Sequence, residues 1–406
     1  MNALKISLKN IRFKPLSSAL NILLIAFGTG ILTILLLASS QIEDKLNNNS
    51  KDIDLVVGAK GSPLQLILSS IYYIDFPTGN IPLKEAKQLS KNPYVKRAVP
   101  LALGDNYNGV RIVGTDSNYI SLYGLTTQSG KLWSADLEAT IGENVAKEQN
   151  LKVGDKFNGA HGLTENTDVH KENAYTITGI LAHQGNVTDD LILTNVASVW
   201  KMHEETHEHV EGDVHDYEKE EADAMEGREI TSLLIQYRSP MSVAMFPRMV
   251  NQMTSLQSAS PAMESTRLFS LIGVGVDTLQ YFAALIMFIA AISVFVNLYN
   301  SLKERSYDLA IMRTLGASKI KLFMMIILEG LILTIIGTIV GLALGHLALH
   351  LIGHYQESSQ ARLTGMIFIP NEIYILLAGL GIGIFAAIIP ALQAYKSNIS
   401  KILAKN

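Results

Sequence analysis

Four apolar runs decide what this chain can become, because a helix of about 20 such residues crosses a hydrocarbon core. The first is uncharged from Pro15 to Ile42 and the second from Thr278 to Leu302. The third runs from Leu322 to Leu351 around Glu329, and the fourth from Ile373 to Tyr395. Inside a bilayer no water pairs with backbone N–H and C=O groups, so each run must close its own hydrogen bonds as a helix. The first run exceeds the roughly 7 to 15 apolar residues of a cleavable leader and reads as a retained anchor, with removal after Ala38 or Ser39 as the alternative.

These runs divide the chain into a lead-in at 1–18 and spans at 19–40, 271–302, 322–352 and 372–395. Residues 41–270 are inserted between the first two spans. Basic residues beside a span are held on the cytoplasmic side. Lys5, Lys9, Arg12 and Lys14 therefore place the lead-in inside, and the five basic residues of 303–321 do the same for the island between spans two and three. Lys396, Lys401 and Lys405 place the tail 396–406 with them. The loop 353–371 carries only Arg362 and falls outside, as does the insert, whose 31 acids outnumber its 20 bases.

Within the insert, "NGVRIVGTD" and "AYTITGILA" have the β-branched alternation of short strands, and "IGENVAKEQNL" has helical spacing. The expected fold is therefore a membrane α-helical protein, with four transmembrane helices and a large α+β extracytoplasmic domain between helices 1 and 2. Residues 41–51, "QIEDKLNNNSK", read as a stalk continuing the first span. The apolar stretch 56–82, with Leu64, Leu66, Ile67, Leu68, Ile71, Tyr72, Tyr73 and Phe76, reads either as buried core or as the lining of a ligand passage.

No cysteine is present, which excludes disulfides and thiolate metal sites. The nearest approach to a phosphate-cradling loop, "GLTTQSGKL", has five residues between Gly124 and Gly130 instead of four, and Leu132 where Ser or Thr would hold magnesium. The chain is thus expected not to hydrolyse ATP. No paired nucleophile and base, metalloprotease helix or nucleic-acid motif appears.

Two histidine groups carry possible chemistry. Residues 203–229 hold four histidines and twelve acids. This tract reads either as a solvated acidic loop or as a loose zinc-type capture site built on His203, His207, His209 and His215. His346, His350 and His354 recur at helical spacing near the outer end of span three, either as interfacial residues or as a relay for protons or a cation. Glu329, within the same span, is expected to pair with a basic residue. Gly337, Gly341 and Gly345 make a small-residue stripe suited to close helix approach.

The island, "SLKERSYDLAIMRTLGASKIKLF", predicts a short helix stopped by Gly316, with Leu309, Met312 and Leu315 on one side and Arg305, Asp308 and Arg313 toward water or a partner. A helix of about 12 residues is marginal alone, so something must hold it.

Glu304, Arg305, Arg313, Leu315, Gly316, Ala317 and Ser318 match the coupling pattern of the MacB/FtsX/LolC-type ABC transporter permeases. Asp308, Leu309 and Ala310 depart mildly from that pattern. "ATIGENVAKEQNLKVGDKF" and "ITGILAHQGNVTDDLILTNVASVW" resemble the same family's MacB-like periplasmic core domain. "LEGLILTIIGTIVGLALG" resembles its third span, and "AAIIPALQAYKSNISKIL", with Pro390, its ending. The tract 203–229 is outside the resemblance and reads as an insertion.

The resemblance implies a non-catalytic permease subunit in a bacterial inner membrane, with its large domain in the periplasm. It implies an ABC ATPase partner that carries ATP and magnesium and docks at Glu304, Arg305, Asp308, Leu309, Met312, Arg313, Gly316, Ala317 and Ser318. A second permease protomer, identical or related, is implied too, and an extracytoplasmic binding protein or lipoprotein is a further expected partner. The implied mechanism is mechanotransmission, in a version linked by the histidine tract to zinc or another divalent metal. Extrusion of lipoproteins or peptides without metal, or a metal- or pH-responsive signalling subunit, remain open at this point.

Overall fold

The computed structural model describes residues 3–161, 174–203, 227–355 and 362–396. They form two compact units. One comprises Met1–Gln41, Ile272–Tyr355 and Leu363–Asn406, and the other Ile42–Leu271 with Gln356–Arg362.

The first unit is helical. A lead-in helix, Ala3–Phe13, precedes four long apolar helices, Pro15–Asn49, Pro261–Glu304, Lys319–His354 and Glu372–Lys396. Each contains an expected span, and most overrun it. The first carries on to Asn49, so the predicted stalk and span are one helix. The second starts at Pro261, and its first turns, through Leu271, group with the inserted domain's unit. Proline is preorganised for a first helical turn, and no glycine or proline interrupts Ala262–Leu271, so elongation meets no stop.

Close approach of the helices rests on residues without bulk. On the third span Gly337 lies against Ile25 of the first, Gly341 against Ala26 and Thr29, and Gly345 against Thr33 and Gly30, as the predicted stripe requires. Gly379 and Gly383 of the fourth span receive Thr338 and Thr334 in the same way. Lipid tails are as apolar as leucine, so packing and satisfied polar groups hold such helices together. The buried threonines meet that demand locally: Thr29 donates to Ile25 O at 2.8 Å, and Thr338 donates to Thr334 O at 2.8 Å. Ile25, Ala290, Val294, Leu298, Ala386 and Ala387 fill the space between the helices.

The second unit is α+β. Its strands are β1 Leu55–Gly58, β2 Ile81–Pro82, β3 Val95–Tyr107, β4 Val110–Thr115, β5 Thr127–Gly130, β6 Glu138–Ile141, β7 Lys156–Phe157, β8 Ala160–His161, β9 Tyr175–Leu181, β10 Ile192–Asn195, β11 Glu229–Ile230, β12 Ser232–Tyr237 and β13 Gln257–Ala259. The main sheet runs β13-β1-β12-β3-β4-β10-β6-β9-β5, with β7 beside β9 and β8 beside β3. The 13 residues of β3 let it pair with β12 through its first half and with β4 through its second. β4 and β10 run parallel, as do β6 and β9, and the other pairs are antiparallel.

The stretch 56–82 belongs to the core. Val56, Leu66, Ile67, Ile71, Tyr72 and Tyr73 are buried with Leu101, Val113, Tyr119 and Leu193, which corrects the ligand-passage reading. Of its large apolar residues Ile74 and Phe76, toward its far end, are the exposed ones. A helix, Pro63–Ser70, makes this burial possible by turning one apolar face onto the sheet.

Gly341→Leu is expected to lower the thermal midpoint of the detergent-solubilised protein, by about 1–3 kcal/mol of overpacking or more, because the new side chain meets the backbone of Ala26. Gly381→Leu, where nothing lies within 4 Å of a built Cβ, should leave the midpoint unchanged.

Candidate functional site at the island end of the spans

The island folds as a helix, Ser306–Thr314, and Gly316 adopts a φ of 96° that ends it, as expected. What holds the helix is a polar cluster that sequence spacing did not assemble. Arg305, just before its first turn, leans back onto Glu329 of the third span at 3.3 Å and donates to Ser301 of the second. Asn10 of the lead-in helix donates to the other Glu329 oxygen, also at 3.3 Å. Lys14 pairs with Glu304, Ser17 donates to Asn297 at 2.9 Å, and Ser7 donates to Met325 O at 3.0 Å. A carboxylate with 9% of its side chain exposed is held by a guanidinium and an amide, the arrangement a low-dielectric site requires of a charge.

The predicted island residues therefore separate into two faces. Leu309 is buried against Leu322 and Met325, with Met312 packed beside them. Arg305 faces inward, which corrects its placement toward water or a partner. Leu315 is 79% exposed and does not join Leu309 and Met312, because the helix has ended and the chain turns through Gly316. Asp308, Glu304, Gly316 and Ser318 are exposed, and Arg313 and Ala317 half-exposed. Ser318 caps the third span by accepting from Lys321 N. Tyr307 and Ile311, spaced four apart on the helix, leave an apolar strip facing out of the unit, and Leu315 extends it just past the helix end.

The three histidines of the third span differ in their surroundings. His346 is buried and bonded to the Gly365 carbonyl and the Glu372 carboxylate, His350 is half-buried, and His354 is exposed. His203 ends the helix Val196–His203, while His207, His209 and His215 lie outside the described residues. Among the described residues no group of three or more histidines and acids is placed to hold a metal ion.

Residues 18–252 match the MacB-like periplasmic core domain, and residues 281–399 match the FtsX-like permease C-terminal domain. The chain belongs to the MacB/FtsX-type family of ABC transporter permeases. Permeases of this type work with ABC ATPases. Among solved structures, the periplasmic region of MacB from Actinobacillus actinomycetemcomitans is 12% identical, with a TM-score of 0.34, over 55% of this chain and 97% of that one. The extracellular domain of the noncanonical ABC-type transporter YknZ from Gram-positive bacteria is 11% identical, with a TM-score of 0.29, over 51% and 99%. No curated protein sequence matches this chain.

A permease whose first span continues into its extracytoplasmic domain needs that helix end gripped. Leu46 is part of the domain core, and its carbonyl accepts from Tyr72 Oη at 3.2 Å. Asn49 accepts from Tyr123 Oη on its carbonyl and from Val187 N on its side chain, both at 2.8 Å. Lys45 donates to Arg362 O at 2.7 Å and lies in the field of Asp190, while Arg362 pairs with Glu148. Burial lowers the Lys45 ammonium and raises the Asp190 carboxyl to about 6, against the opposing pull of Asn144 and of Lys45. Desolvation outweighs attraction on both partners.

Two tests follow from these clusters. Arg305→Ala should lower the thermal midpoint more than Arg305→Ala combined with Glu329→Gln, since the single change strands a buried carboxylate. Asp190 has a folded value above the ordinary 3.8, so its contribution is fully present below that pH and is lost as pH rises through about 6, about 3 kcal/mol in all. Thermal unfolding of the purified protein between about pH 4.5 and 7.5 should therefore fall more steeply with pH for wild type than for Asp190→Asn.

Proposed function

We propose that this chain is the non-catalytic permease subunit of an ABC transporter in a bacterial inner membrane, coupling a separate ATPase to its periplasmic domain. The observation that carries the reading is the outward strip of Tyr307, Ile311 and Leu315, along and just past a helix pinned to the spans by Arg305 and Glu329. A helix of nine residues needs external support to persist, and here its inner face has it. Its outer face is apolar and rimmed by Asp308 and Arg313, chemistry suited to a groove on a cytoplasmic subunit.

Force applied there acts directly on the second and third spans, which flank the island. Arg305 and Asn10 spread it to the lead-in helix, and the first span, packed along the third, continues into the stalk. The periplasmic domain then moves with the stalk, and a second permease protomer completes the assembly. In this scheme ATP and magnesium reside on the ATPase. Zinc held by His203, His207, His209 and His215 is the metal-linked form of the proposal, and titration calorimetry on the full chain would retire it by finding no binding.

Ile311→Glu with Leu315→Glu should abolish stimulation of the co-purified ATPase while the permease remains folded in detergent. A doubly substituted protein that stimulates the ATPase as wild type does would remove the docking assignment.

A further inference from the structure

The opposite end of the third span carries a polar cluster that the coupling scheme does not use. His346 is buried there, 11% of its side chain exposed, beside an equally buried Glu372 at the start of the fourth span. Its Nδ1 lies 2.7 Å from the Gly365 carbonyl and its Nε2 lies 3.2 Å from Glu372 Oε2. A carbonyl oxygen only accepts, so Nδ1 must carry a hydrogen. A neutral imidazole would then turn the lone pair of Nε2 toward a carboxylate, acceptor against acceptor, in a site with little water to intervene. The contact is a hydrogen bond only when one further proton sits between Nε2 and Oε2, whichever atom holds it.

With that proton in place both ring nitrogens are hydrogen-bonded, and the pair holds a loop. Gly365 lies so close to the third span that a Cβ would meet the His346 carbonyl and the His350 nitrogen. Glu372 Oε1 accepts from Ile369 N at 2.9 Å, and the Phe368 ring covers the imidazole at 4.5 Å between centroids. Thr364 is bonded twice to Gln41 of the first span: Gln41 Nε2 donates to Thr364 O and Thr364 N donates to Gln41 Oε1, both at 2.8 Å. Residues 364–369 thus join the first, third and fourth spans through Thr364–Gln41, Gly365–His346 and Ile369–Glu372 bonds, the last two meeting at the His–Glu pair.

We propose that His346 and Glu372 form a single-proton site that locks this loop across the three spans. Protonated, the pair ties the loop to the third and fourth spans. Deprotonated, the imidazole has one hydrogen for two acceptors, so either the Gly365 carbonyl or the Glu372 carboxylate faces a ring lone pair, and the loop loosens beside the residue at which the first span passes into the other unit. The charges around the site are few. The third span contributes His350 one turn on and His354 a second turn on, and the loop from Leu363 to Asn371 has no ionisable group. The fourth span contributes Glu372 itself, with Tyr374 exposed, and the first span is uncharged from Pro15 to Ile42.

The absence of cysteine permits a direct test. A nitroxide on Ile367→Cys, an exposed loop position, reports loop motion in the full chain reconstituted in lipid discs. The mobile spectral fraction should rise about threefold between about pH 5.5 and 8.5, a range in which imidazoles ordinarily change charge. In Glu372→Gln the amide NH2 donates to a neutral Nε2 without a shared proton, so the fraction should stay at the low, acidic wild-type value at both ends. Gln41→Ala should raise mobility at both ends and keep the rise between them. Wild type without the rise, a rise that persists in Glu372→Gln, or Glu372→Gln mobile at both pH values would overturn the proposal. No ATPase is present in this experiment, so its outcome is independent of the docking assignment.

Discussion

Hydrocarbon offers no partner to a peptide group or a charge, and the membrane unit is arranged around that deficiency. Four helices satisfy their own backbones. They then approach one another where Gly337, Gly341 and Gly345 meet the first span, and where Gly379 and Gly383 meet Thr338 and Thr334 of the third. Larger residues on that seam would hold the first and third helices apart, and the polar contacts at both ends would lose their distances. The third span is the shared partner: it touches the first and fourth along its length, the lead-in helix through Met325, and the island through Glu329.

Among the described residues the buried charges of this bundle, Glu329 and Glu372, lie toward its ends, and each has a counterpart. Arg305, Asn10 and Glu329 form one cluster, and His346, Gly365 and Glu372 another. Both use the third span, on which Glu329 and His346 stand about 25 Å apart at 1.5 Å per residue. The first cluster joins a helix that leaves the bundle to the helices within it, and the second joins a loop. Parts that connect spans are thereby held by buried polar contacts, whose strength depends on every member being present.

The extracytoplasmic domain solves a different problem, gripping the end of a helix that enters it. Leu46 supplies apolar contact, and Asn49 and Lys45 supply direction through bonds to named atoms. Tyr72, buried, and Tyr123, half-buried, donate to that helix end, and desolvation pushes their phenols upward, so they stay neutral donors. In the same region burial raises the Asp190 carboxyl to about 6.

Much of this was legible in the sequence. Run length fixed the four spans, because hydrocarbon thickness admits few alternatives. Period-2 alternation located β4 and β9, helical spacing located Glu143–Glu148, and the glycine stripe located the helix seam, since each pattern is written in neighbouring residues. The family's motifs pointed to the coupling segment and the periplasmic domain. Tertiary structure decided what depends on distant pairs. It turned Arg305 onto Glu329, 24 positions away, and His346 onto Glu372, 26 away. It buried the 56–82 stretch under a sheet whose strands come from across the domain, and it moved Leu315 from the inner face to solvent. Local spacing sets which residues share a helix face. Which face is covered depends on what folds against it, and no stretch of twenty residues contains that information.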